Sequence, residues 1–138
     1  MSDIIYIPQR TLVVVADGHQ AVLLRTHGIR ANLSLTEEQR LTPQNLDREG
    51  PSGVRPEEQT PRQTDEATFA KQLAEALYTM KQANKFEHLV LAADPQTLGQ
   101  LRQTMHKTVS ASIMLELPKE LTRQTTAEIA AAIRDAAG

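Results

Sequence analysis

The chain of 138 residues has no cysteine. Disulfides, thiolate metal sites and cysteine nucleophiles are therefore excluded, and the composition fits a reducing compartment. Aromatic residues amount to only 3%, with Tyr6, Phe69, Tyr78 and Phe86 the full set. The core must be built from Leu, Val, Ile, Ala and Met. A base-stacking surface for single-stranded nucleic acid is disfavoured, because it needs exposed rings. Excess positive charge is missing too: the net charge is −2, so no overall field holds a phosphate backbone. Nucleic acid is left with a local basic patch, for which Arg10, Arg25 and Arg30 are the candidates. No apolar run is long enough to span a bilayer, so no membrane contact is expected. Met1 to Pro8 lacks the basic start and long apolar stretch of a signal peptide. We expect a cytoplasmic location.

What is present is 40% apolar residues, on a length that fits one domain, 1–138. Thr11 to Ala16 is β-branched and almost wholly apolar, as in a central strand covered on both faces. Asp17-Gly18 suits a tight hairpin turn at positive φ, and Ala21 to Arg25 is the returning strand. After a turn at His27-Gly28, Ile29 to Leu35 alternates polar and apolar residues. That predicts a third strand near a sheet edge, where a second copy of the chain can pair. From Thr36 the pattern stops. The stretch to Gln63 holds Pro43, Pro51, Pro56, Pro61, Gly50 and Gly53, and it reads as a long flexible loop at 36–63.

Helical spacing returns with Phe69, Leu73, Leu77 and Met80, predicting a helix from near Thr64 or Asp65 to near Asn84. His88 to Ala93 is a fourth strand. Asp94-Pro95 caps and opens a second helix with Leu98, Leu101 and Met105 buried. Ser112 to Leu117 is a fifth strand. Thr125 and Glu128 form a capping-box spacing ahead of a third helix that buries Ile129, Ala132 and Ile133. The order β-β-β-(long loop)-α-β-α-β-α predicts an α/β fold. It is a ribonuclease-H-like mixed sheet of about five strands with helices packed on it. The first and fourth strands, the most apolar, should lie side by side at its centre.

Several pieces in order carry a family resemblance. They are Val13-Val14-Val15-Ala16-Asp17-Gly18, Phe69-Ala70, Phe86 to Ala93, Thr97-Leu98-Gly99-Gln100-Leu101-Arg102 and Lys119-Glu120-Leu121-Thr122. In these the chain resembles the bacterial host attachment protein family, whose final motif usually has Asp where Glu120 stands here. That family is similar in turn to the middle domain of archaeal and eukaryotic peptide chain release factors. The resemblance implies a ribonuclease-H-like sheet, a link to the ribosome, and a contribution to the attachment of bacteria to host cells. Release factors present Gly-Gly-Gln between the third strand and the first helix. The equivalent Glu49-Gly50-Pro51-Ser52-Gly53-Val54 lacks that triplet, so peptidyl-tRNA hydrolysis is not implied.

Candidate sites follow from the topology. If the first and fourth strands are neighbours, Asp17 and Asp94 emerge at one end of the sheet. With Glu66 as a third carboxylate they are the ligands that Mg²⁺-dependent phosphodiester cleavage would need. The simpler reading of each is a turn residue and a helix cap. Lys119, past the fifth strand, with Arg102 and Thr122, forms a second candidate, for a phosphate or an acidic partner. His19, His27, His88 and His106 have no ligand spacing. No nucleophile elbow occurs. Arg48, Arg55 and Arg62 alternate with Glu49, Glu57 and Glu58 in the loop. That near-neutral mix suits folding onto a protein or ribosomal partner better than binding RNA.

Three functions compete. The first is a non-enzymatic cytoplasmic interaction domain without cofactor, which supports host attachment indirectly. The second is a ribosome-associated translation or stress factor. The third is a Mg²⁺-dependent nuclease using Asp17 and Asp94.

Overall fold

A computed structural model describes the protein over residues 6–28, 32–43 and 63–137, with 63–67 as backbone alone. Five strands, β1 (Leu12–Ala16), β2 (Ala21–His27), β3 (Ser34–Leu41), β4 (Leu89–Ala93) and β5 (Ile113–Leu117), form one sheet in the order β3-β2-β1-β4-β5. Helix α1 (Gln63–Gln82) precedes β4, and α2 (Pro95–Thr104) and the one-turn α3 (Lys107–Ser110) lie between β4 and β5. Helix α4 (Thr126–Ala137) closes the chain. The mixed ribonuclease-H-like sheet expected from element order is present. β1 and β4 run parallel in its middle, with Leu12 opposite Leu89 and Ala16 opposite Ala93.

Side-chain alternation along the strands builds two cores. Leu12, Val14, Leu89 and Leu91 face α1 and α2, meeting Phe69, Leu73, Leu77, Leu98 and Leu101. Val13, Val15, Val90 and Ala92 face α4, meeting Ile129, Ala130 and Ile133. Every residue of β1 and β4 is buried, which explains why both read as unbroken apolar runs.

Three expectations need correction. The third strand runs from Ser34 to Leu41, so residues 36–41 belong to the sheet and not to the 36–63 loop. Residues 36–40 are polar on both faces and gain their place from backbone pairing to β2, with a bulge opposite Leu23/Leu24, before Leu41 returns to the core. The β1–β2 turn is centred on Gly18-His19 and not on Asp17-Gly18: the Asp17 N–H donates to the Gln20 carbonyl at 2.9 Å, and neither Asp17 nor Gly18 has positive φ. Helix α3, too short for any periodicity, was not foreseen. The turn after β2 does fall at Gly28, with φ +74°. A Cβ there would lie 2.4 Å from the Asn32 carbonyl oxygen, so only glycine fits.

Candidate functional site

β1, β4 and β5 are parallel, so they end on one rim. Asp17 and Asp94 each follow a member of the Ala16–Ala93 pair, so both leave the sheet at this rim. Both are engaged with backbone. Asp17 Oδ1 accepts the amides of His19 at 2.7 Å and Gln20 at 2.9 Å, which holds the turn together. Asp94 is the N-cap of α2, accepting the Thr97 amide at 3.1 Å with Pro95 in the first turn. Among the described residues, no three His, Asp or Glu side chains are grouped to hold a metal ion. Glu66 lies where only the backbone is described. Replacing Asp94 by Ala is expected to cost about 1 kcal/mol, the worth of an N-cap. Thermal unfolding checks this, with a fall of about 3 °C.

The second candidate group is rearranged. Thr122 is buried, with 4% of its surface exposed, and its hydroxyl donates towards Asp17 Oδ2 at 3.0 Å. Its amide donates to Glu120 Oε1 at 2.7 Å, and its hydroxyl also contacts that oxygen. Thr122 therefore joins the Asp17 turn and not Arg102. Arg102 sits in the last turn of α2, away from this rim, and pairs with Glu116 of β5. Hydrogen bonding and the charge of Glu116 raise the guanidinium pKa above its ordinary value. Lys119 is exposed and its amide donates to the Leu117 carbonyl at 2.8 Å. Thr122 is the link between the segment after β5 and the Asp17 turn, and Glu120, in sequence only a departure from a motif, braces Thr122 from within that segment. Arg48, Arg55 and Arg62 lie outside the described residues.

The opposite rim, where the parallel strands begin, is organised by Arg25. Its side chain is 10% exposed. The guanidinium donates to Glu38 Oε1 at 3.0 Å, to the Arg10 carbonyl at 3.1 Å and to the Lys85 carbonyl at 2.6 Å. One planar cation thus pins the bulge of β3, the entry to β1 and the α1–β4 turn. Arg10 has φ +67° and Asn84, before Lys85, has φ +59°; both are sharp left-handed corners held by these contacts. The patch expected from Arg10, Arg25 and Arg30 is not formed as drawn. Arg25 is buried and satisfied, Arg30 lies outside the described residues, and Arg10 is exposed.

The other edge features are structural. β3 carries Glu37 paired with Arg40 at 2.9 Å, beside the Arg25–Glu38 pair. Charges spaced along an edge strand discourage pairing with another chain, which weighs against a homodimer through it. His106 caps α3, its Nδ1 accepting the Thr108 amide at 3.2 Å. Among the described residues, no helix is long and apolar enough to cross a membrane.

Comparison with solved structures gives an archaeal protein with a TM-score of 0.45 and 12% identity. That match covers 91% of this chain, which spans only 36% of the archaeal one. The RuvC structure from Thermus thermophilus matches with a TM-score of 0.42 and 12% identity, over 93% of this chain and 80% of that one. Similarities this low bear on no function. No curated protein matches. The profile of bacterial archaeo-eukaryotic release factor family 12 matches residues 10–133. That span runs from the Arg10 corner to Ile133 in α4 and takes in every strand, so the chain belongs to bacterial archaeo-eukaryotic release factor family 12.

Proposed function

We propose that this domain is a non-catalytic interaction module that works in translation through a protein or ribosomal partner. The observation that carries the reading is membership of a release-factor-like family over nearly the whole fold. Geometry adds support: the two carboxylates best placed for metal-dependent chemistry are occupied as a turn clasp and a helix cap. The nuclease alternative keeps only the shared rim of Asp17 and Asp94 in its favour. Indirect support of bacterial attachment to host cells would be a downstream consequence of the same contacts. The test is co-sedimentation with ribosomes through a sucrose cushion. The protein should pellet with ribosomes at about 100 mM KCl and be released at about 500 mM, because exposed charge contacts are screened. Protein that stays in the supernatant at both salts would refute the reading.

A further inference from the structure

The two rims of the sheet differ in charge: exposed Lys119 and Arg123 stand among the acids at one, and cations from three segments gather at the other. The rim where β1, β4 and β5 end carries Asp17, Asp94 and Glu120. At the other rim the chain places Arg10, Lys81, Lys85 and Lys107, which come from three distant segments. Several contacts bring these segments together. Arg25 holds the carbonyls of Arg10 and Lys85 on one guanidinium. The Leu12 amide donates to the His88 carbonyl at 3.1 Å, which joins the entries of β1 and β4. Lys81 Nζ lies 5.4 Å from the centre of the Phe86 ring, and Tyr78 of α1 stacks on His106 with ring centroids 4.2 Å apart. That stack brings Lys107 to the end of α1.

Arg10, Lys85, His106 and Lys107 are exposed and Lys81 is half-buried. Among the described residues, none of the four cations has a carboxylate partner, whereas Arg25, Arg40 and Arg102 all do. Among the described residues, Glu87 in the α1–β4 turn and Glu38, which is paired with Arg25, are the acids near them.

From this juxtaposition we propose that the rim formed by Arg10, Lys81, Lys85 and Lys107 around the Tyr78–His106 stack binds single-stranded RNA. It deepens the translation reading by naming the chemistry of the partner. The cations meet phosphates, and the exposed imidazole, pinned flat on Tyr78, stacks under a base. An acidic protein would use the cations and leave the ring pair without a role, so RNA is the better fit.

The experiment is fluorescence anisotropy with a fluorescein-labelled, mixed-sequence single-stranded RNA of about 20 nucleotides, a length that exceeds typical single-domain footprints. Affinity should fall with salt with a log–log slope of about −2.8, as four phosphate contacts require. The pair Lys85→Glu and Lys107→Glu should weaken binding about tenfold or more. The pair Lys71→Glu and Arg123→Glu makes the same change in net charge elsewhere and should leave affinity within about twofold. His106→Ser keeps a capping oxygen for α3 and removes the ring, and should cost about fivefold.

The proposal is overturned by absence of binding at low salt, by equal losses in the two charge-reversal pairs, or by poly-L-glutamate competing as well as unlabelled RNA at equal charge. Naked RNA as the probe separates the two readings. Ribosome association can fail while RNA binding holds, and the reverse.

Discussion

Leu73→Ala is expected to destabilise the domain by about 3 kcal/mol and to lower the midpoint of thermal unfolding by about 10 °C. Leu73 lies at the middle of α1, is fully buried, and belongs to the cluster that joins α1 to β1 and β4. Truncation removes the transfer free energy of its methyl and methylene groups. It also leaves a cavity that a helix anchored by Phe69 on one turn and Leu77 on the next is poorly able to close. Lys71, on the exposed side of the same helix, provides the contrast, since Lys71→Ala should stay within about 0.5 kcal/mol. Differential scanning calorimetry on both variants checks the pair. A loss below about 1 kcal/mol for Leu73→Ala would mean that α1 is not seated on the sheet as described.

Arg25→Met is expected to cost about 3 kcal/mol, read from urea denaturation as a lower midpoint at unchanged slope. Met keeps much of the side-chain length and removes all the donors. The carbonyls of Arg10 and Lys85 then lose a charged donor at part-buried positions, where a hydrogen bond to a charged group contributes about 1.5–3 kcal/mol. Glu38 contributes less, because its side chain is 41% exposed and regains water. Arg25→Lys should recover little. A single ammonium has the charge but lacks the planar fork that reaches three acceptors in different segments. Full stability in Arg25→Lys would show that charge alone matters at this rim, against the three-way donation seen here.

How far these features are legible in sequence differs from element to element. The neighbouring of β1 and β4 is readable because a strand covered on both faces must be apolar at every position, as Val13-Val14-Val15 and Leu89-Val90-Leu91 are. α1 is readable from Phe69, Leu73 and Leu77, one turn apart on the buried side. The end of β3 is not. Glu37, Glu38, Gln39 and Arg40 carry no alternation, since an edge strand with a bulge is held by its backbone partner and faces water with its side chains. α3 is likewise hidden, because a single turn capped by His106 has no period to detect.

The same contrast governs the candidate sites. That Asp17 and Asp94 share a rim follows from parallel pairing. That Asp17 takes a hydrogen bond from Thr122, 105 residues along the chain, does not. Nor does the basic rim, whose cations lie at position 10, at 81 and 85, and at 107 within a chain of net charge −2.

Local chemistry, then, was enough for the elements and their order, because apolar spacing, caps and turn residues act over a few positions and each leaves its mark in the string of residues. Which side chains end up facing one another was settled by how the strands pair and where Arg25 gathers three chain segments. Hydrogen bonds and charge clusters form between residues that are close in space, and nothing in their sequence positions records that closeness.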